Sequence, residues 1–533
     1  MSVTVDRDGP LCMRLNKYPV LLIIITILGA ALRIFRLSAR GIWYDEAWSL
    51  VLAAKDLSRS TYFDVFSYKP VYFLFLNAWV RLFGLDAFWV RLPSVVFASL
   101  SLGVIYLVGR ELADNKTGLL AAFLLAISSF HVYHSQQTRQ FTLEVLLALL
   151  SYLSLLRFLN KGDRASCVAN TVCNVLLIFT HPFASIVVIA QGVSVLYLSW
   201  RENRWDKRWL LSQLVVLVFV ALWYFSSNKV LMIHNKWWIS PPNAAAVRET
   251  LETFCYGGPR YGLDDVRIRF GYPMMLGVLC SLYGFFFLKG VFSRDVRAPS
   301  HSRNVALTVT AWIMVPLLFV AGISSRWPLY AIKHFIVLVP AFYLITARGM
   351  RSLNTYALSG VIVALVLLAI YPLKTLYYGD EVNSDWRQAT RYVREQAQTN
   401  DTVIVSTLPE LAPFLAHFSV HPREALAAID PNTYGKMVDR VSREVFYQDG
   451  VEIVAIPQIQ DHSTGPAIKQ DFRRKMGSIF RGHVSGVIWL MISRWTWEDD
   501  ARYMVSSLTE WGALQQEKKF RGVEVYCFRR GAP

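Results

Sequence analysis

The chain has 533 residues, 54% of them hydrophobic, with a mean hydropathy of +0.34. Apolar residues at that level, gathered in long runs, exclude a water-soluble globule and indicate a polytopic membrane protein. The net charge of +17 is concentrated in short loops between those runs, as in the cytoplasmic loops of membrane proteins, and does not indicate nucleic-acid binding.

Behind the basic residues Arg7, Arg14 and Lys17, residues 18–35 (YPVLLIIITILGAALRIF) are long enough to span and lack a small-residue cleavage site, so they read as a retained first span. An outer loop, 37–91, follows. It carries GIWYDEAW (41–48), with Asp45 and Glu46 adjacent among aromatic residues, and KPVYFLFLNAWVRLFG (69–84). Further apolar runs lie near 92–109, 118–134, 141–158, 166–181, 183–200, 209–226, 271–288, 305–323, 335–347 and 354–373. With the first they make about eleven transmembrane helices.

Residues 69–84 decide the topology. Counted as a span, they reverse every later loop; lying in the interface, they leave the loops alone. The second choice puts Arg110 and Lys116, then Arg157, Lys161 and Arg164, then Arg201, Arg204, Lys207 and Arg208 in the cytoplasm. Lys289, Arg294, Arg297, Arg303, Arg348 and Arg351 join them, and the short outer turns keep only Arg139, Arg326 and Lys333. The positive-inside rule therefore makes 69–84 interfacial, the N-terminus cytoplasmic and the C-terminus outside.

A second outer loop, 227–270, is rich in aromatic and turn residues, including HNKWWISPP and CYGGPRYG. Residues 374–533 have a soluble character. SDWRQATRYVREQAQ has helical period, DTVIVS, VEIVAIP and VSGVIWLMIS read as short buried strands, and EDDARYMVSSLTEWG reads as a helix ending at Gly512. The expectation is a transmembrane unit, 1–373, followed by a small extracytoplasmic α/β domain, 374–533. There is no internal repeat or low-complexity tract. The six cysteines, Cys12, Cys167, Cys173, Cys255, Cys280 and Cys527, lack metal-ligand spacing; Cys167 and Cys173 read as packing residues, and a Cys255–Cys527 bridge is one pairing the topology allows.

This topology gathers polar groups on the outer side. Lys69 opens the interfacial segment, HSQQTRQF (134–141) ends the third span, and THPF (180–183) and PLYAIKHF (328–335) form further turns. Charged groups at membrane depth are costly unless they pair or serve a site. The span ending LRIFRL followed by WYDEAW resembles the GT-C glycosyltransferases, in the bacterial branch related to protein O-mannosyltransferases and lipid A aminoarabinose transferases. YKPVYFLFLNAWVRLFG, FWVRLPSVVFASLSL, SQQTRQFTL, FTHPFASIVVIAQ, AIKHFIVLVPAF and SDWRQATRYV extend the resemblance in order along residues 20–400. The chain departs from the pattern where Gln137 stands for a usual Glu, Phe141 for Tyr, Lys333 and His334 for Arg-Tyr, and Val337 for Pro. Glu144, two helical turns beyond Gln137, reads as a packing or polar-network residue of the fourth span.

The resemblance implies a bacterial inner-membrane enzyme that moves a sugar, with inversion, from a polyprenyl-phosphate donor to a hydroxyl of a protein, lipid or glycan outside the membrane. Such a site needs a carboxylate base, cations for the departing phosphate and an apolar groove for the lipid. Asp45 is the expected base, with Glu46 positioning it or holding sugar hydroxyls. Lys69, Arg139 and Lys333 are expected on the phosphate, and Gln137, His181, His334 and Arg33 on substrate. No cofactor is called for: the only Asp-x-Asp, Asp6-Arg7-Asp8, lies in the N-terminal tail, and no nucleotide-binding glycine motif occurs. A transporter or lipid flippase would place polar groups near mid-membrane and show repeat symmetry, whereas here they fall at span ends. A non-catalytic protein on the same scaffold is the other alternative, kept open by Gln137.

Overall fold

The computed structural model describes residues 17–56, 69–226, 243–257, 272–293, 300–324, 330–374, 378, 384–406, 410–429, 444–448, 450–455, 486–493 and 498–529. The Asp6-Arg7-Asp8 tail, Cys12, Arg14, Arg294, Arg297, Arg326 and most of the 227–270 loop lie outside them. Helix α1 is Lys17–Ile34, followed by α2 (Tyr44–Ala54), α3 (Pro70–Phe83), α4 (Ala87–Leu112), α5 (Asn115–Ile127) and α6 (Ser129–Ser135). Next come α7 (Phe141–Lys161), α8 (Arg164–Thr180), α9 (Ser185–Glu202), α10 (Lys207–Ser226), α11 (Ala244–Tyr256), α12 (Tyr272–Phe292) and α13 (Ser300–Ile323). A 3₁₀ segment, Ile332–Leu338, leads into α14 (Val339–Met350), and α15 (Thr355–Pro372) closes the bundle.

Among the described residues, 8 helices are long and apolar enough to cross a membrane, and α5 with α6, bent by 61°, makes a ninth. The two other expected spans are α8 and α10, so a helix stands at every place the apolar runs marked. Helix α3 has 14 residues, about 21 Å, too short for a core of about 30 Å. Its polar residues cap a neighbour instead: Asn77 donates to Ala53 O and Lys55 O at 2.7 and 2.8 Å, at the C-terminus of α2.

Turns between spans are set by side-chain caps. Asp86, Asp114, Asp163 and Asn354 accept backbone N–H groups at the starts of α4, α5, α8 and α15. Gly162, with φ 66°, ends α7 in the left-handed region that favours glycine. The basic loops meet at one end of the bundle. Lys116 donates to Arg351 O and Leu353 O, Arg351 pairs with Asp114, Arg348 donates to Gly290 O, and Arg208 donates to Gly162 O. The acid loop, the 136–140 turn, His181 and Lys333 meet at the other. The segregation of loops that the charge pattern required is thus present in three dimensions.

The soluble part contains α16 (Trp386–Gln396), β1 (Thr402–Val405), α17 (Leu411–Phe418), α18 (Pro422–Ala428), β2 (Glu444–Gln448), β3 (Val451–Ala455), β4 (Val487–Ser493), α19 (Glu498–Trp511), β5 (Ala513–Phe520) and β6 (Val523–Arg529). The sheet order is β2-β3-β1-β4-β6-β5, with β1 parallel to β3 and β4 and the other pairs antiparallel. Ile404, Val454, Ile488 and Leu490 face Met504 and Leu508 of α19, whereas Val403, Val405, Trp489 and Met491 belong to the core shared with the bundle. This strand burial on both faces explains their continuous apolar sequences. The domain grips the acid-bearing loop: Arg387 donates to Ser38 O and Arg40 O, Ile42 N donates to His417 Nε2 at 3.0 Å, and Lys55 reaches Ala427 O and Ile429 O.

One sequence reading changes. Cys255 and Cys527 are both free thiols; Cys255 lies against Cys280 of α12, while Cys527 belongs to β6. Inside the bundle, Ser151, Asn170, Asn174 and Gln191 form a buried hydrogen-bonded set joining α7, α8 and α9. It is closed on itself, as interhelical polar contacts in membranes often are.

Helices α12 and α14 cross through Gly290 and Gly349, where an added Cβ would overlap Ile345 O and Phe286 O respectively. We expect Gly349→Ala to destabilise the protein by about 1–3 kcal/mol, lowering its melting temperature in detergent. Gly360→Ala, with nothing within 4 Å of the new carbon, should not lower it.

Candidate active site

Asp45 and Glu46 occupy the first turn of α2, where the helix dipole favours carboxylates. They diverge. Glu46 is fully buried and receives Arg91 Nε at 2.8 Å, Arg91 Nη2 at 2.6 Å and the backbone N–H of Thr138 at 2.9 Å. Arg91 spends its remaining donors on Leu37 O, Arg40 O and Gly41 O. A bidentate pair so completely hydrogen-bonded satisfies both charges. Of the two roles expected for Glu46, this geometry leaves positioning and removes contact with sugar hydroxyls.

Asp45 points the other way, with its side chain 19% exposed. Its Oδ2 lies 3.3 Å from Lys333 Nζ and 3.7 Å from Arg139 Nη2, and Arg139 Nη1 donates to the Asp45 carbonyl at 2.9 Å. Lys69, buried at the start of α3, completes the group. Burial alone would raise the Asp45 pKa, but Arg139, Lys333 and Lys69 outweigh it and hold the carboxyl well below its ordinary 3.8. Lys69 is pushed down by its burial and then by Arg139 and Lys333, against the opposing pull of Glu144 and Asp45. The site is therefore a carboxylate crowded by three cations, with spare positive charge for an anion.

The turn carrying Arg139 is fastened from two sides. Glu46 holds Thr138 N, and Ser94 Oγ donates to Gln137 O at 2.6 Å. Gln137 itself is buried with its side chain toward Tyr133 and His134. His181 and His334 form a second layer, rings 5.0 Å apart, with Phe183 5.0 Å from His334. Glu144, read as a packing or polar-network residue of the fourth span, lies in the first turn of α7, fully buried, with Oε2 3.2 Å from His181 Nδ1.

The reading of Arg33 is corrected. It donates to Gly29 O, to Ala126 O at 3.0 Å and to Leu125 O at 2.9 Å, and contacts His131 Nδ1 at 2.8 Å. The Leu125 and Ala126 carbonyls end α5, where the bend into α6 interrupts the helical ladder. Arg33 therefore stabilises the bend and is occupied away from Asp45. Arg91, to which the sequence assigned no role, is the residue missed beside the acid pair. Its signal was a cation on an apolar helix at the end of the membrane where basic residues are scarce. Among the described residues, no group of three His, Cys, Asp or Glu side chains is placed to hold a metal ion.

Residues 68–226 match the family model for dolichyl-phosphate-mannose-protein mannosyltransferases. The fold is similar to that of ArnT from Cupriavidus metallidurans bound to undecaprenyl phosphate, with TM-score 0.56 and 11% identity over 96% of this chain and 98% of that one. The apo state of the same protein gives TM-score 0.54 and 12% identity over the same shares. The oligosaccharyltransferase of Archaeoglobus fulgidus gives TM-score 0.46 and 14% identity over 75% of this chain, which spans 64% of that protein's length. No curated protein matches by sequence. The likeness to ArnT is one of fold, over nearly the whole of both chains.

Removing Arg91 would leave Glu46 charged and buried without its partner. Arg91→Met should cost about 3–5 kcal/mol, visible as reduced yield and a lower melting temperature. The double variant Arg91→Met/Glu46→Leu should recover part of that loss.

Proposed function

We propose that the protein is a membrane glycosyltransferase that transfers a sugar from a polyprenyl-phosphate donor to a hydroxyl acceptor at the outer membrane face, with Asp45 as general base. The observation that carries this reading is the convergence of Asp45, Lys69, Arg139 and Lys333 from four separate segments on one point at the sparsely basic end of the bundle. Undecaprenyl phosphate bound to the similarly folded ArnT supports a lipid phosphate as the anion. The basic loops at the opposite end support a cytoplasmic location for that end and an extracytoplasmic site.

The chemistry follows from the charges. The donor phosphate takes the cations that hold Asp45 in the resting site. Losing those partners, the carboxylate becomes a stronger base. The acceptor hydroxyl gives its proton to Asp45 as its oxygen forms a bond to the anomeric carbon. The bond from that carbon to the phosphate oxygen breaks, its electron pair leaving on the phosphate. Lys69, Arg139 and Lys333 stabilise the released charge through charge-assisted hydrogen bonds. Glu46 acts at one remove, by holding Thr138 and hence Arg139 against α2.

Asp45→Asn in membranes, at matched protein level, should lower transfer from radiolabelled polyprenyl-phosphate sugars by about 100-fold or more. Undiminished transfer would remove Asp45 as the base. Lys333→Met removes a cation and a hydrogen bond that lower the Asp45 pKa, so that pKa should rise. The carboxylate would then be protonated at higher pH, and the acid limb of the rate profile should move upward; a profile with an unmoved limb would separate Lys333 from the base.

A further inference from the structure

Beside the charged site, the first turn of α7 holds polar groups that its protein neighbours do not satisfy. Gln140 and Glu144 are one helical turn apart and share a face, with Glu144 N donating to Gln140 O at 3.0 Å. Their side chains are 1% and 0% exposed. Neither the amide oxygen nor the amide nitrogen of Gln140 has a hydrogen-bond partner, and neither do the two carboxyl oxygens of Glu144. His181 Nδ1 lies 3.2 Å from Glu144 Oε2 without a hydrogen bond between them. Buried polar atoms are nearly always satisfied in native structures, because leaving one bare costs its desolvation. Four such atoms on one helical face mark a place for a polar guest.

The surroundings identify its chemistry. Lys69 lies within electrostatic reach of both Asp45 and Glu144, so the two carboxyl groups flank one member of the phosphate set. The rings of His134 and Phe141 are 4.6 Å apart, and those of Phe141 and His181 are 6.1 Å apart, giving an aromatic side next to the hydrogen-bonding atoms. A flat aromatic face beside acceptors and one amide donor suits a ring bearing several hydroxyls. Asp45 retains exposure through which an acceptor can arrive and leave, whereas Glu144 is enclosed, which suits a group delivered by the donor.

We propose that Gln140 and Glu144 form the subsite for the hydroxyls of the donor's sugar. This rests on the donor reading given above. Glu144 accepts hydroxyl hydrogens, and the Gln140 amide both accepts and donates. The subsite senses the sugar, while the three cations sense the phosphate that any such donor shares.

The test compares binding of undecaprenyl phosphate with binding of its mannosyl, glucosyl and arabinosyl esters to the full-length protein in nanodiscs. Wild type should bind at least one ester about tenfold more tightly than undecaprenyl phosphate, the increment expected of one or two added hydrogen bonds. Glu144→Leu should abolish that preference, and Gln140→Met, which removes no charge beside Lys69, should reduce it and leave the affinity for undecaprenyl phosphate unchanged. Asp45→Asn should keep the preference. A preference that survives both Glu144→Leu and Gln140→Met, an equal loss of affinity for ester and phosphate, or no preference in wild type overturns the subsite. Absence of any binding of undecaprenyl phosphate to wild type would instead overturn the donor reading beneath it.

Discussion

The buried pair between Glu46 and Arg91 is the constraint on which the rest of the site depends. One carboxylate gathers α2, α4 and the 136–140 turn, and the guanidinium opposite it gathers three carbonyls of the loop that leads into α2. With those segments fixed, Arg139 has little choice but to lie against Asp45. Adjacent acids in one helical turn thus divide the work. The enclosed one sets geometry at low dielectric, where hydrogen-bonded charges interact strongly, and the other keeps part of its surface exposed beside Arg139 and Lys333.

Much of the architecture was legible because bilayers impose simple rules. Apolar runs located the helices, and the sorting of Lys and Arg among loops put Asp45, Lys69, Arg139 and Lys333 on one side before any coordinate was known. The short α3 was legible for the same reason, since Asn77 and Arg81 interrupt its apolar stretch. Strands β1, β3 and β4 showed as apolar runs because both their faces are covered. The hairpin β5–β6 did not, because β5 is an exposed edge strand whose charged sequence, ALQQEKKF, hides its pairing.

Other residues were misread because sequence gives position along a helix but not the partner across from it. Arg33 and Arg91 stand alike, as cations near the sparsely basic ends of spans, yet one caps the broken α5 and the other holds the acid loop. Both are structural solutions to the cost of a buried cation. Glu144, by contrast, sits as its polar-network reading expects: α7 begins at Phe141, which places Glu144 in a first turn beside His181.

The grip of the C-terminal domain on the acid-bearing loop bears on the timing of synthesis. Arg387, His417 and the carbonyls of Ala427 and Ile429 lie more than three hundred residues downstream of the backbone and lysine they hold. A ribosome delivers them after every membrane helix. Until then the segment from Ser38 to Lys55 lacks its outer clamp and is held by Arg91, Thr138, Arg139 and Lys333. The outer clamp on that segment therefore closes only after the membrane helices have been made.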